Sequence, residues 1–196
     1  MNTKLLFILG GIFVIFSSTT FFVNETQRAM VFQLGEIKRA DLKPGLHFKL
    51  PLVNNVRKFD ARILTIDAQP ELFLTSEKKN MSVDFFVKWR IANVKSYYKS
   101  TLGDRARAEG RIVQIVKDEL KNQFGIRTIQ EAISGEREEI MSELEAKAQV
   151  VASELGIELV DVRVSRIELP EDVSESVYQR MRAERSRTAK DFRARG

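Results

Sequence analysis

The sequence predicts an α+β protein in which strands come first, two helices follow and a strand comes after them. Three observations predict this order. Apolar residues occupy every odd position from Met81 to Ile91, which is the two-residue period of a strand with one buried face. Apolar residues then recur at helical spacing between residues 112 and 155. From Ile157 to Leu169 the chain is rich in Val and Ile and is again typical of a strand.

An apolar segment precedes these elements. Leu5–Val23 contains 19 uncharged residues, and as a helix it would measure about 28 Å, close to the roughly 30 Å hydrocarbon core of a bilayer. We therefore predict a transmembrane helix over 5–23. The alternative is a cleaved signal peptide with its cleavage site in Ser17–Thr20. Phe21–Val23 favour the anchor, because large apolar residues continue past that site without an Ala-x-Ala pattern.

The flanking charges predict the orientation of this helix. Lys4 precedes the apolar segment, whereas Asn24 and Glu25 follow it. Positive residues favour the cytoplasmic side, so residues 1–4 are expected in the cytoplasm and the main domain outside it.

The organisation predicted after the anchor is one domain and one outgoing helix. The domain covers 24–170 and is expected to have a strand-rich lobe, 24–95, and a helix-strand lobe, 96–170. Residues 171–196 are predicted to begin a long C-terminal helix.

Turn residues divide the strand-rich lobe. Strands are predicted at 27–34, 46–50 and 53–68, because Gly35, Pro51 and Pro70 follow them. In the second of these strands the apolar residues are at even positions, so His47 and Lys49 are expected to face solvent.

Two amphipathic helices are predicted next, each closed by a glycine. The buried side of the first is expected to comprise Ile112, Ile115, Val116, Leu120 and Phe124, with Gly125 as a left-handed cap. The second begins near Glu136 and is expected to bury Ile140, Leu144, Ala148, Val151 and Leu155, with Gly156 closing it. In the strand that follows, the alternation slips between Val164 and Ile167, which indicates a bulge.

The predicted C-terminal helix carries the excess positive charge of the chain. Of 32 basic and 27 acidic residues overall, seven basic and two acidic residues lie in 178–196, so the rest of the chain is neutral. Binding to nucleic acid or to anionic lipid would use this charge, but pairing with acidic residues of a neighbouring chain, such as those of 136–147, is the interpretation we favour. The residues predicted to mediate oligomerisation are Val173, Val177, Met181, Arg182 and Arg185.

The sequence offers little for catalysis. It has no Cys and one His, which excludes disulfides, thiolate nucleophiles and Cys-based metal sites and leaves His47 without a triad. Neither a P-loop nor a dinucleotide fingerprint is present. We therefore predict a non-enzymatic protein with no catalytic residue, metal or cofactor. A serine–lysine hydrolase is the alternative that composition leaves open.

Several stretches, taken in order, resemble one family. They are Asn24-Glu25-Thr26-Gln27-Arg28-Ala29-Met30-Val31, Pro44-Gly45-Leu46-His47-Phe48-Lys49-Leu50-Pro51, Asp60-Ala61-Arg62, Thr75-Ser76-Glu77-Lys78-Lys79 and Lys88-Trp89-Arg90-Ile91. Together they are similar to the SPFH (band 7, prohibitin-like) family. Leu169-Pro170 before Val173-Ser174, and Met181-Arg182-Ala183-Glu184-Arg185, resemble the branch of that family whose members associate with HflK.

The resemblance implies a single-pass protein of the bacterial inner membrane with its main domain in the periplasm. It also implies a large cage, built with HflK around the membrane protease FtsH, that regulates the degradation of membrane proteins without cutting them. A stomatin-like scaffold that organises lipid or other membrane partners is the alternative. Members of this branch continue into a long Ala- and Glu-rich helical region, so the chain ending at Gly196 is expected to be C-terminally truncated.

Overall fold

The computed structural model describes residues 19–133 and 137–169, together with the single positions 182, 186, 187 and 190. Within these ranges strands precede helices and a last strand follows, which confirms the predicted α+β order. The elements are β1 (Thr20–Val23), β2 (Gln27–Gln33), β3 (Glu36–Leu42), β4 (Gly45–Phe48), β5 (Asn54–Asp60), β6 (Leu64–Asp67), β7 (Glu71–Leu74), β8 (Asn80–Ile91), α1 (Val94–Thr101), α2 (Arg105–Gly125), α3 (Ile129–Ile133), α4 (Arg137–Glu154) and β9 (Ile157–Glu168).

The strands form three sheets. β1 pairs with β4, β2 lies between β3 and β5, and β8 pairs with β6, β7 and β9. β1 with β4, and β2 with both of its neighbours, are antiparallel, as is β7 with β8.

The chain divides into two compact units that interleave along the sequence. In the described ranges the first unit takes the residues up to Leu64, Trp89–Glu109 and Val151–Val160. The second takes Thr65–Lys88, Gly110–Val150 and the residues from Asp161 onwards.

Aromatic side chains fill the core of the first unit. Trp89 and Tyr97 are 0% and 2% exposed, and their ring centroids lie 6.3 Å apart. Phe59 meets the Tyr97 ring edge-on at 6.0 Å. Such edge contacts add to the burial energy of aromatic side chains, so this cluster anchors α1 in the unit.

Gly156 closes α4 as predicted. Its φ of 75° lies in the left-handed region that glycine tolerates best. Its carbonyl oxygen accepts hydrogen bonds from the backbone N–H groups of Ala92 and Asn93, both at 3.0 Å. The turn after α4 is therefore held directly against the start of α1.

The core of the second unit matches the sequence periodicity closely. The odd positions of β8 from Met81 to Val87 are at most 1% exposed, as the alternation predicted. The α2 stripe is confirmed at Ile112, Val116, Leu120 and Phe124, each at most 1% exposed, while Ile115 is half-buried.

The buried side of α4 departs from the prediction. Ile140, Leu144 and Ala148 are buried as expected, but Ala152 continues this four-residue step. Val151 is 46% exposed and Leu155 is half-buried, so their predicted inward positions are wrong. The assignment preferred the larger apolar residues Val151 and Leu155, whereas the four-residue step from Ile140 continues through the smaller Ala152.

One local prediction about a helix end is also wrong. Gly125 is the last residue of α2 and does not have a positive φ, so α2 ends without the predicted left-handed glycine. In β9 the buried face changes between Leu159 and Val162, which was not predicted. The alternation slips again between Val164 and Ile167, where a slip was predicted, because both residues between them are exposed and Ile167 is half-buried.

Some strands were not predicted or were predicted as one. The proposed strand 53–68 is two strands, β5 and β6, because the chain bends at 61–63, where the backbone N–H of Arg62 donates to the Asp60 carboxylate at 3.0 Å. β3 and β7 were assigned to no element. β1 occupies the last four residues of the predicted transmembrane helix 5–23, so the predicted end of that helix at Val23 is wrong.

The rest of that predicted helix, 5–18, lies outside the described residues. Among the residues the structure describes, no helix is both long enough and apolar enough to cross a bilayer.

Most of the predicted oligomerisation residues lie outside the described ranges as well, namely Val173, Val177, Met181 and Arg185. Arg182 is described; it has helical backbone conformation and its side chain is exposed. The same holds for Ser186, Arg187 and Lys190.

Candidate functional site

The two-stranded β1–β4 sheet has one apolar face whose side chains are exposed among the residues that the structure describes. Its register places Phe22 opposite Leu46 and Thr20 opposite Phe48. Directly paired residues of antiparallel strands project to the same side, so Phe22, Leu46 and Phe48 share one face. These three side chains are 57%, 62% and 57% exposed.

The chain continues this apolar character beyond β4. Leu50 is 57% exposed, and Leu52, at a φ of 71°, has a relative exposure of 107%. We call Phe22, Leu46, Phe48, Leu50 and Leu52 the β1–β4 apolar surface. Large apolar residues that are scattered singly are ordinary, but a concentration of them in two paired strands and the following loop marks an interaction site.

The other face of this sheet is turned inward, which reverses the prediction for β4. Val23 is fully buried and His47 is half-buried, whereas the residues expected inside are exposed. His47 lies with its ring centroid 5.6 Å from that of Phe21, and its Nε2 is 2.7 Å from the carbonyl oxygen of Lys43. The expectation that His47 faces solvent is therefore wrong.

Sequence reasoning missed this surface for a definite reason. An alternating strand with Leu and Phe on one side and His and Lys on the other predicts that the apolar side faces a core. The alternating pattern of β4 is the same whether its apolar face packs against the protein core or contacts another apolar medium. Only the partner strand β1 distinguishes these two cases. Phe22 repeats the same exposed character there.

Cationic side chains flank both strands of the sheet. Lys58 donates from Nζ to the carbonyl oxygen of Phe22 at 2.7 Å, and Arg39 donates from a guanidinium nitrogen to that of Phe48 at 2.5 Å. Both donors are exposed. An apolar face bordered by long cationic side chains is the composition that suits the boundary between lipid tails and anionic headgroups.

Elsewhere in the described ranges no group of three or more His, Cys, Asp or Glu side chains is placed to hold a metal ion. A groove of about 550 Å³ lies between α4 and β9. The β1–β4 apolar surface is accordingly the leading candidate for function.

Comparison with known proteins gives the family. The SPFH domain / Band 7 family model matches residues 21–196. A protein named HflC from Haemophilus influenzae is 42% identical over 97% of this chain and 69% of its own length. Another named HflC, from Buchnera aphidicola, is 36% identical over the whole chain and 71% of its own length. The Escherichia coli K12 protein named modulator of FtsH protease HflC is 33% identical over the whole chain and 72% of its own length.

The match covers the described strands from β2 onwards and the helices α1 to α4. The chain therefore belongs to the SPFH domain / Band 7 family and is a homologue of the HflC proteins.

Proposed function

We propose that this chain is a membrane-anchored, non-enzymatic regulator of the FtsH protease. It would act from the periplasmic side of the bacterial inner membrane as part of a large assembly with HflK. The name of the Escherichia coli relative, modulator of FtsH protease, supports the regulatory role. The proposal assigns the chain no catalytic residue, since regulation of this kind requires contacts with the protease and with neighbouring subunits.

The observation that carries the proposal is the position of the β1–β4 apolar surface. It begins at Phe22, near the end of the apolar segment 5–23 that we predict to contain the anchor. The backbone N–H of Lys49 donates to the carbonyl oxygen of Thr19 at 2.7 Å, which ties the end of β4 to the last residue before β1. An anchor ending there would place this surface at the level of the bilayer.

The length of the anchor fits this arrangement. With β1 starting at Thr20, the uncharged helix is limited to residues 5–19 and would measure about 22 Å, shorter than the roughly 30 Å hydrocarbon core. A short span is accommodated by thinning of the bilayer or by immersion of flanking apolar residues. Phe22, Leu46 and Phe48 would supply that immersion.

Assembly would follow from many weak contacts rather than one strong interface. Copies fixed in one membrane meet at high effective concentration, so modest contacts between them add together. We propose that Val173, Val177, Met181, Arg182 and Arg185 contribute such contacts through the C-terminal segment.

Purification from native membranes tests the partners. A tagged chain solubilised in mild detergent should recover both FtsH and HflK, identified by mass spectrometry, whereas an unrelated tagged single-span protein of the same membrane should recover neither. Recovery of lipid and of further copies of the chain without FtsH would favour the stomatin-like scaffold instead and would contradict the proposal.

A further inference from the structure

Two cationic side chains reach the β1–β4 sheet from opposite edges of the neighbouring sheet. Lys58 belongs to β5 and Arg39 to β3, and β2 lies between those two strands. Lys58 donates to the carbonyl oxygen of Phe22 in β1, whereas Arg39 donates to that of Phe48 in β4. Each strand of the β1–β4 apolar surface therefore has a cation fixed beside one of its exposed aromatic residues.

Both cations keep donors for a further acceptor. An ammonium group has three N–H donors and a guanidinium group has five, and one carbonyl oxygen accepts from each of these two side chains. Among the residues that the structure describes, no carboxylate is paired with Arg39 or Lys58. Exposed cations of this kind, held beside an apolar surface, suit the charged oxygens of a lipid headgroup.

The part of the chain that carries this surface is strongly basic. Residues 19–58 contain seven basic and three acidic residues, a net charge of +4. One of the three carboxylates, that of Asp41, lies 2.6 Å from a guanidinium nitrogen of Arg28. A bilayer of zwitterionic lipid gives this charge no net attraction, whereas anionic lipid favours each nearby Lys or Arg by about fivefold in binding.

We propose that the β1–β4 apolar surface selects anionic phospholipids, with Arg39 and Lys58 as the residues that bind the headgroups. The inference rests on the bilayer contact in the proposed function and adds the class of lipid to it. An interfacial element buries its apolar side about 5–10 Å into the boundary between headgroups and acyl chains. Phe22 and Phe48 enter this boundary, and the long cationic side chains keep their charged ends among the headgroups. The lipid around the first unit is therefore enriched in anionic species.

Selective quenching in a mixed bilayer tests the inference. The full chain, with an environment-sensitive dye on Leu52→Cys, is reconstituted into vesicles that contain phosphatidylcholine and phosphatidylglycerol in equal amounts. One of the two lipids is brominated at a time. Brominated phosphatidylglycerol should quench the dye at least about twofold more strongly than brominated phosphatidylcholine. The difference should shrink in about 1 M salt, where the Debye length falls to about 3 Å.

Substitutions of the two cations identify the residues responsible. Arg39→Gln with Lys58→Gln should abolish the preference, while both lipids still quench the dye because the apolar residues are unchanged. Arg39→Lys with Lys58→Arg retains both charges and should retain the preference. The matched control is Lys95→Gln with Lys99→Gln, which removes two exposed cations of α1 in the same unit and should leave the preference intact.

The possible failures are distinguishable. Equal quenching by the two brominated lipids, in the chain that retains all its cations, would overturn the inference and leave the bilayer contact standing. A preference that persists after Arg39→Gln with Lys58→Gln would overturn the assignment to these two residues. Quenching by neither lipid would contradict the proposed bilayer contact itself and the lipid selection that rests on it.

Discussion

Replacing Gly156 by alanine should destabilise the protein by at least about 3 kcal/mol. Residue 156 has a φ of 75°, a conformation that costs an alanine roughly 1 kcal/mol or more. A Cβ there would lie 2.4 Å from the carbonyl oxygen of Asn93 and 2.5 Å from the backbone nitrogen of Tyr97. Because both neighbours are backbone atoms of the α1 start, relief requires moving that helix and breaking the hydrogen bonds to the Gly156 carbonyl.

Urea unfolding of the full chain in detergent, followed by the fluorescence of its single tryptophan, Trp89, measures this effect. The matched control is Gly110→Ala, since Gly110 lies within α2 and a Cβ there meets nothing within 4 Å. That variant should be stabilised by about 0.5–1 kcal/mol through helix propensity. Equal unfolding midpoints for Gly156→Ala and the unsubstituted chain would show that the turn after α4 is not held as described.

Replacing Phe22, Leu46 and Phe48 together by serine should abolish contact of the β1–β4 apolar surface with a bilayer. Each side chain is already more than half exposed, so the folded body loses little packing. Immersion of each exposed part is worth about 1 kcal/mol, and the three losses together are large enough to lift the sheet out of the interface. The unfolding free energy should change little, which is the reverse of the Gly156→Ala result.

A fluorophore on Leu52→Cys reports this contact in proteoliposomes. An environment-sensitive dye there should emit as in an apolar medium and be quenched by brominated lipid, and the triple serine variant should shift its emission to that in water. Ile63→Cys is the matched control, because Ile63 is an exposed apolar residue of the same unit, at 52%, that is not part of the surface. A label at 52 that emits as in water in the unsubstituted chain would refute bilayer contact.

The sequence was most predictive for the elements in which a single buried face determines the positions of the apolar residues. β8 alternates because its odd side chains enter a core, and α2 has a stripe because one side of it does the same. Gly156 could be identified because a helix that ends before a strand commonly needs a left-handed residue there.

The incorrect predictions share a different physical cause. In each case, contacts with residues distant in sequence determined the local structure. Thr20–Val23 continue an apolar run, and only pairing with β4 makes them a strand. β3 contains four charged residues in Glu36–Leu42 and resembles a loop, yet it is held at the edge of β2. The β4 face was reversed because periodicity identifies two faces without showing which one meets the core, so the candidate site itself could not be predicted.

The half-life of a membrane-protein substrate of FtsH tests most directly whether this chain regulates FtsH from the membrane. The substrate should be followed by pulse-chase in cells of the parent bacterium that have the chain, lack it, or carry the triple serine variant at equal abundance. We expect the half-life to change on removal of the chain, to be restored by the unsubstituted chain and not by the variant, and to show no such change when FtsH is inactivated. An identical half-life in the presence and absence of the chain, with FtsH active, would contradict the account.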